Sequence, residues 1–151
     1  MPNSIFSILF PVNESIWEHM KLIVTPVLIF SVFEYIIYSR KNIHFNNFIL
    51  SYSVSMILGI LLYLMIYLPI DYMFGHSAIV AISLLFVIFI ILQIISYYIM
   101  NLTEIKYSDI IGVSIIVVMY IIFGYLTYNP IETGLFYDTQ KKTYGIPEER
   151  I

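Results

Sequence analysis

Three long stretches of the chain, Phe48 to Ile70, Ala78 to Met100 and Ile110 to Tyr128, contain no Asp, Glu, Lys or Arg. Their apolar residues run on continuously rather than keeping to one helical face. Each exceeds the roughly 18 to 20 residues needed to cross a hydrocarbon core about 30 Å thick. A fourth stretch, from about Trp17 to Tyr38, is apolar beyond its polar start at Glu18 to Lys21 but carries Glu34. The pattern predicts an all-α integral membrane protein, a bundle of four transmembrane helices at about 17–38, 48–70, 78–100 and 110–128. Residues 1–14 form a short lead-in and 129–151 an extramembrane tail. Short loops between the spans imply an up-down bundle.

Polar residues punctuate this pattern in few places. The densest is Val12-Asn13-Glu14-Ser15-Ile16-Trp17-Glu18-His19-Met20-Lys21, which abuts the first span. Ser15-Ile16-Trp17-Glu18 matches the S-x-x-E capping box, so a helix should start near Ser15, with Ser15 and Glu18 capping reciprocally. From Trp17 to Tyr38 a helix covers about 32 Å, which would put these two amphipathic aromatics at the two interfaces. Pro26 lacks an N–H and should kink this helix. Ser51, Ser55 and Gly59 recur every four residues in the second span and read as a packing seam.

Composition sharpens the class. Of 151 residues, 60% are hydrophobic and 11% charged, against about a quarter charged in soluble domains. Cysteine is absent, which excludes disulfides and thiol chemistry. The net charge of −3, without a basic stripe, gives no footing for nucleic acid. The lipid bilayer is the expected partner, with a membrane protein or a second copy as a further one. The wealth of Ile, Tyr and Asn suggests an AT-rich bacterial genome and hence a bacterial plasma membrane. Arg40, Lys41 and Lys106 fall on one side, which the positive-inside rule assigns to the cytoplasm. The polar block, the 71–77 link and the tail would then be external, although Lys141, Lys142 and Arg150 pull the other way.

Candidate chemistry lies on that external side. Capping, the helix dipole and interface anchoring account for Ser15, Glu18 and Trp17, and leave Asn13, Glu14 and His19 without a job. Glu14, Glu18 and His19 would meet Asp71 and His76 of the second link if the fold brings them together. Two imidazoles with carboxylates suit a divalent metal, with His19, His76, Glu14 and Asp71 as ligands, or general acid–base catalysis. No H-E-x-x-H spacing is present, so convergence in space is required, and no cofactor is called for by motif. Inside the spans the polar candidates are Glu34 and Gln93. Glu34 lies one turn from Tyr38, so it would snorkel to the interface or pair with Arg40 or Lys41. If buried, it would instead meet Ser51, Ser55, Gln93 and Ser96 at similar depth, as in a proton relay.

The block from Val12 to Leu22 resembles the signature of the bacterial multi-pass membrane family known as domain of unknown function 6512. Phe136-Tyr137-Asp138 followed by Thr143-Tyr144-Gly145-Ile146-Pro147 is similar to its closing motif. The resemblance spans nearly the whole chain, implies no activity, and leads one to expect a further apolar helix ahead of the block. Three function classes stay open: a binding or scaffold protein working through its external face, a membrane-embedded and metal-assisted hydrolase, and a small transporter or channel subunit using Glu34.

Overall fold

The computed structural model describes residues 5–146; Ser4, Pro147 and Arg150 of the sequence reading lie outside them. The elements are α1 (Phe6–Leu9), α2 (Ile16–His19), α3 (Lys21–Arg40), α4 (Phe48–Phe74), α5 (Ala78–Met100) and α6 (Ser108–Tyr128). A 3₁₀ turn, Gly134–Phe136, then leads into the strands β1 (Tyr137–Asp138) and β2 (Thr143–Tyr144). Four segments, Ile16–Arg40, Phe48–Phe74, Ala78–Met100 and Ser108–Tyr128, are long and apolar enough to cross a membrane. They are rich in Ile and Val, poor intrinsic helix formers. In an apolar medium, however, a backbone must satisfy its own hydrogen bonds, which overrides side-chain propensity.

Central to the bundle is α4, which packs against α3, α5 and α6. Close approach is made at two glycines. A Cβ on Gly112 would stand 2.7 Å from the backbone nitrogen of Leu50, and one on Gly59 2.7 Å from Ile23 and Leu92 side chains. Large apolar side chains lie on the exterior as well as in the core. Ser51, Ser53, Ser55, Ser96, Thr25 and Thr127 are buried, whereas Phe86, Ile90, Ile94 and Ile121 are exposed. Such an exterior suits hydrocarbon, and the small polar interior lets backbones approach and hydroxyls bond across helices.

At the end of the bundle carrying Arg40, the α3–α4 and α5–α6 loops are tied by buried Asn47. Its Nδ2 donates to the Thr103 carbonyl (3.1 Å) and its Oδ1 accepts from the Ile105 N–H (2.8 Å). The opposite end gathers the polar block, the α4–α5 turn and the tail.

Several sequence expectations need correction. The lead-in contains a helical turn, α1, which packs on α6. The capping box is half made: Ser15 Oγ accepts from the Glu18 N–H (3.3 Å), but the Ser15 N–H goes to Asn13 Oδ1 (2.8 Å). Glu18 is drawn elsewhere. Pro26 lies within α3, and a further irregularity lies at Met20, whose N–H reaches back to the Trp17 carbonyl (3.2 Å) in a tighter turn. Trp17, partly buried, packs on Phe123 and Phe136, with ring centroids 5.1 and 4.8 Å away. Helix α4 runs on to Phe74, ending at Gly75 in the left-handed region (φ 78°), where a helix C-terminus favours glycine. Asp71 is therefore helical rather than part of a loop.

Candidate functional site

The polar block divides into two clusters, and the first is a buried ion pair. Glu18 and Lys21 lie three residues apart at the α2–α3 junction and are almost wholly excluded from solvent. Lys21 Nζ donates to Glu18 Oε2 (2.7 Å), to Thr127 Oγ1 of α6 (2.7 Å) and to the Ser7 carbonyl of α1 (2.8 Å). Glu18 Oε2 also accepts from the Val12 N–H (2.9 Å). All three ammonium protons are thus used, and the carboxylate is bound from two sides, which is what a desolvated pair requires. This cluster staples α1, α2, α3 and α6. Glu18, a candidate from the sequence, is fully engaged in it.

The second cluster contains Glu14, His19 and His76. Glu14 precedes the helix and is half-exposed; its Oε2 lies 3.3 Å from His19 Nε2. His19 ends α2 and is buried. His76 sits in the α4–α5 turn, its ring parallel to that of His19 within 5° and 5.6 Å away between centroids. One ligand-type atom from each of Glu14, His19 and His76 falls within 4.8 Å of the others. On the far side of His76, Nδ1 lies 3.0 Å from the Tyr67 hydroxyl and 3.4 Å from Asp71 Oδ1. His19 Nδ1 and His76 Nε2 are buried without a hydrogen-bond partner. Buried polar atoms are normally paired, and Trp17 Nε1 and the Tyr63 hydroxyl share this lack of a partner.

The tail holds this cluster in position. Buried Asp138 of β1 accepts at Oδ2 from the Glu14 N–H (3.1 Å) and at Oδ1 from the N–H groups of Gln140 (2.8 Å) and Lys141 (2.9 Å). Burial alone would push its carboxyl up. The N–H groups of Lys141, Glu14 and Gln140 outweigh that and hold it below the usual carboxylate range. Asn13 Nδ2 donates to the Gly145 carbonyl (2.7 Å). Gly145 is left-handed (φ 63°), and a Cβ there would meet Pro130 at 2.8 Å. The 12–22 block and the Phe136–Gly145 segment, distant in sequence, are thus one structural unit.

That unit accounts for the pairing of motifs that carried the family resemblance. The sequence model of a family of unknown function, DUF6512, matches residues 2–146. The chain belongs to this family. No curated protein and no solved structure matches it. In this DUF6512 protein, sequence reasoning missed Tyr63, Tyr67, Asp138 and Thr127. Tyr63 and Tyr67 stack at 5.0 Å, and with Asp71 they extend the four-residue spacing of Ser51, Ser55 and Gly59 along α4. That periodicity was the available signal.

Glu34 belongs to neither cluster. Its Oε2 accepts from the hydroxyls of Tyr52 and Tyr38 (3.1 Å to the latter) and its Oε1 from Gln93 Nε2 (3.2 Å). Of the expected partners Gln93 is met; Arg40 and Lys41 are not. Ser51 bonds Ser96 (3.1 Å) and Ser55 reaches the Leu92 carbonyl (3.5 Å).

Proposed function

We propose that this protein is a multi-pass protein of a bacterial plasma membrane that binds a divalent transition ion of the zinc class and uses it for hydrolysis. Glu14 Oε2, His19 Nε2 and His76 Nε2 are the ligands. The observation that carries this reading is that one ligand-type atom each of Glu14, His19 and His76 lies within 4.8 Å of the others, with His76 Nε2 unpartnered. Two ligand atoms each about 2.0 to 2.1 Å from a tetrahedral ion stand roughly 3.3 to 3.4 Å apart. Glu14 Oε2 and His19 Nε2 are 3.3 Å apart, long for a strong charge-assisted hydrogen bond but suited to sharing an ion. Tyr67 occupies Nδ1 of His76, with Asp71 Oδ1 3.4 Å away, which leaves Nε2 to the metal, the usual division between a ligand histidine and its supporting groups.

Two histidines and one glutamate leave a fourth position open, the pattern of catalytic rather than structural zinc. An ion there lowers the pKa of bound water. Held by Glu14, His19 and His76, such an ion would supply an activated water for cleavage of an acyl or phosphoryl bond, the leaving group taking the proton. Arg40, Lys41 and Lys106 at the opposite end favour an external site. The scaffold reading has less support, because the tail spends its conspicuous groups, Phe136, Asp138 and Gly145, on contacts within the chain.

The test is elemental analysis and zinc titration of detergent-purified protein after chelator treatment. One ion per chain is expected, with affinity falling at least about 100-fold in His76→Ala, as befits loss of one of three ligands. Absence of stoichiometric metal in the wild type would sink the reading.

A further inference from the structure

Glu34 points to a second ligand site, independent of the first. It lies six residues before the end of α3, about 9 Å along the helix from Arg40, at the depth where a bilayer passes from acyl chain to headgroup. Its carboxylate accepts from two phenols and one amide, all neutral donors. Among the described residues, no Lys, Arg or His forms an ion pair with it. Three donors fill three of the roughly four lone-pair sites of a carboxylate and leave one site vacant.

Beside it lies a cavity of about 60 Å³ between α3, α4 and α5, lined by Phe30, Phe89, Leu92, Tyr52, Ser55 and Gln93 among others. Two of these, Tyr52 and Gln93, are the groups that hold Glu34. At about 10 to 15 Å³ each, the space admits roughly four to six water-sized groups. Helices α3 and α5 both pack on α4 but touch each other little, and Phe30 on the open side is exposed. The cavity therefore opens sideways, toward lipid.

The lining selects the cation. A divalent ion wants six or more oxygens, and here one carboxylate is surrounded by rings and aliphatic carbon. An organic ammonium has three protons to place: the lining offers the amide oxygen of Gln93 and the hydroxyl of Ser55, and Glu34, bonded to Tyr52 and Gln93 of that lining, offers its carboxylate at the edge. Aromatic Phe30 and Phe89 suit both the charge and the methylenes behind it. We propose that this crevice binds a primary ammonium carried on an apolar chain, supplied by an aminolipid headgroup or by a free long-chain amine.

The experiment uses full-length protein in nanodiscs of phosphatidylcholine, with dodecylamine and dodecanol as probes and native mass spectrometry or calorimetry as readout. Dodecylamine should bind at least about tenfold tighter than dodecanol, since a charge-assisted hydrogen bond contributes about 1.5 to 3 kcal/mol. Glu34→Gln should abolish that preference. Phe89→Trp, which adds bulk to the lining and spares Glu34, should weaken both probes. Competition by phosphatidylethanolamine would identify the lipid as the source, and its failure to compete the free amine. Equal binding of the two probes to the wild type, or a preference that survives Glu34→Gln, would overturn the proposal.

Discussion

Glu14 and Glu18 stand four residues apart in one polar block, yet the fold gives them opposite tasks. Glu18 is buried, and its carboxylate oxygens are met by an ammonium, a hydroxyl and a backbone N–H. Glu14 is half-exposed, faces a histidine at 3.3 Å, and borders nitrogens that have no partner at all. Buried groups that hold a fold are normally fully hydrogen-bonded. The difference in partners therefore separates the two glutamates more sharply than residue type does. Two glutamates of the same helix terminus look alike until their partners are counted.

The comparison predicts where stability resides. Lys21→Met should be the most damaging change, because it strands Glu18 as an unpaired buried charge; about 3 to 5 kcal/mol is expected for such a loss. A marked fall in the thermal or denaturant midpoint in detergent checks this. The double replacement Lys21→Met with Glu18→Gln should recover part of the loss, since the stranded charge is then removed. A Lys21→Met protein as stable as the wild type would dissolve the distinction between the two clusters.

Next in size is Asp138→Ala, which leaves the N–H groups of Glu14, Gln140 and Lys141 unanswered, at about 1 to 3 kcal/mol for a buried unsatisfied group. The same carboxylate makes docking of the tail pH-dependent. Its folded-state pKa is depressed below 3.8, so its contribution is complete above that value. It is lost as pH falls through the lower folded pKa. Protease sensitivity of the tail should therefore rise only in that acid range, and Asp138→Asn should remove this dependence on pH.

How much of this was legible in the sequence follows from the range of each interaction. The four apolar runs announced four helices, because length and lack of charge are properties of a segment alone. Ser15 as N-cap was legible for the same reason. Glu18 with Lys21 is an i,i+3 pair, yet the Ser7 carbonyl and Thr127 that complete it lie 14 and 106 residues from Lys21. No local pattern encodes them. Asp71 was misplaced by its own polarity: it resembled the start of a loop, whereas the four-residue ridge through Tyr63 and Tyr67 carried α4 past it to the Gly75 stop. His19 and His76 were singled out by chemistry, but their parallel stacking comes from α4 delivering the turn beside α2.

The smallest effect on stability is expected at His19, and there the comparison is most exposed to failure. His19 is buried, but its Nδ1 contributes no hydrogen bond and its Nε2 meets only the half-exposed Glu14. Its ring lies against a second imidazole rather than in the apolar core. Replacing it by Gln keeps much of the volume and offers a donor to Glu14, so the unfolding midpoint of chelator-treated protein should move by less than about 1 kcal/mol. Zinc protection should behave differently. In the wild type, free zinc at 100 times Kd adds about 2.7 kcal/mol, and His19→Gln should lose most of that increment. If His19→Gln destabilises the apo protein as severely as Lys21→Met, then His19 is a structural residue and both halves of the block serve the fold.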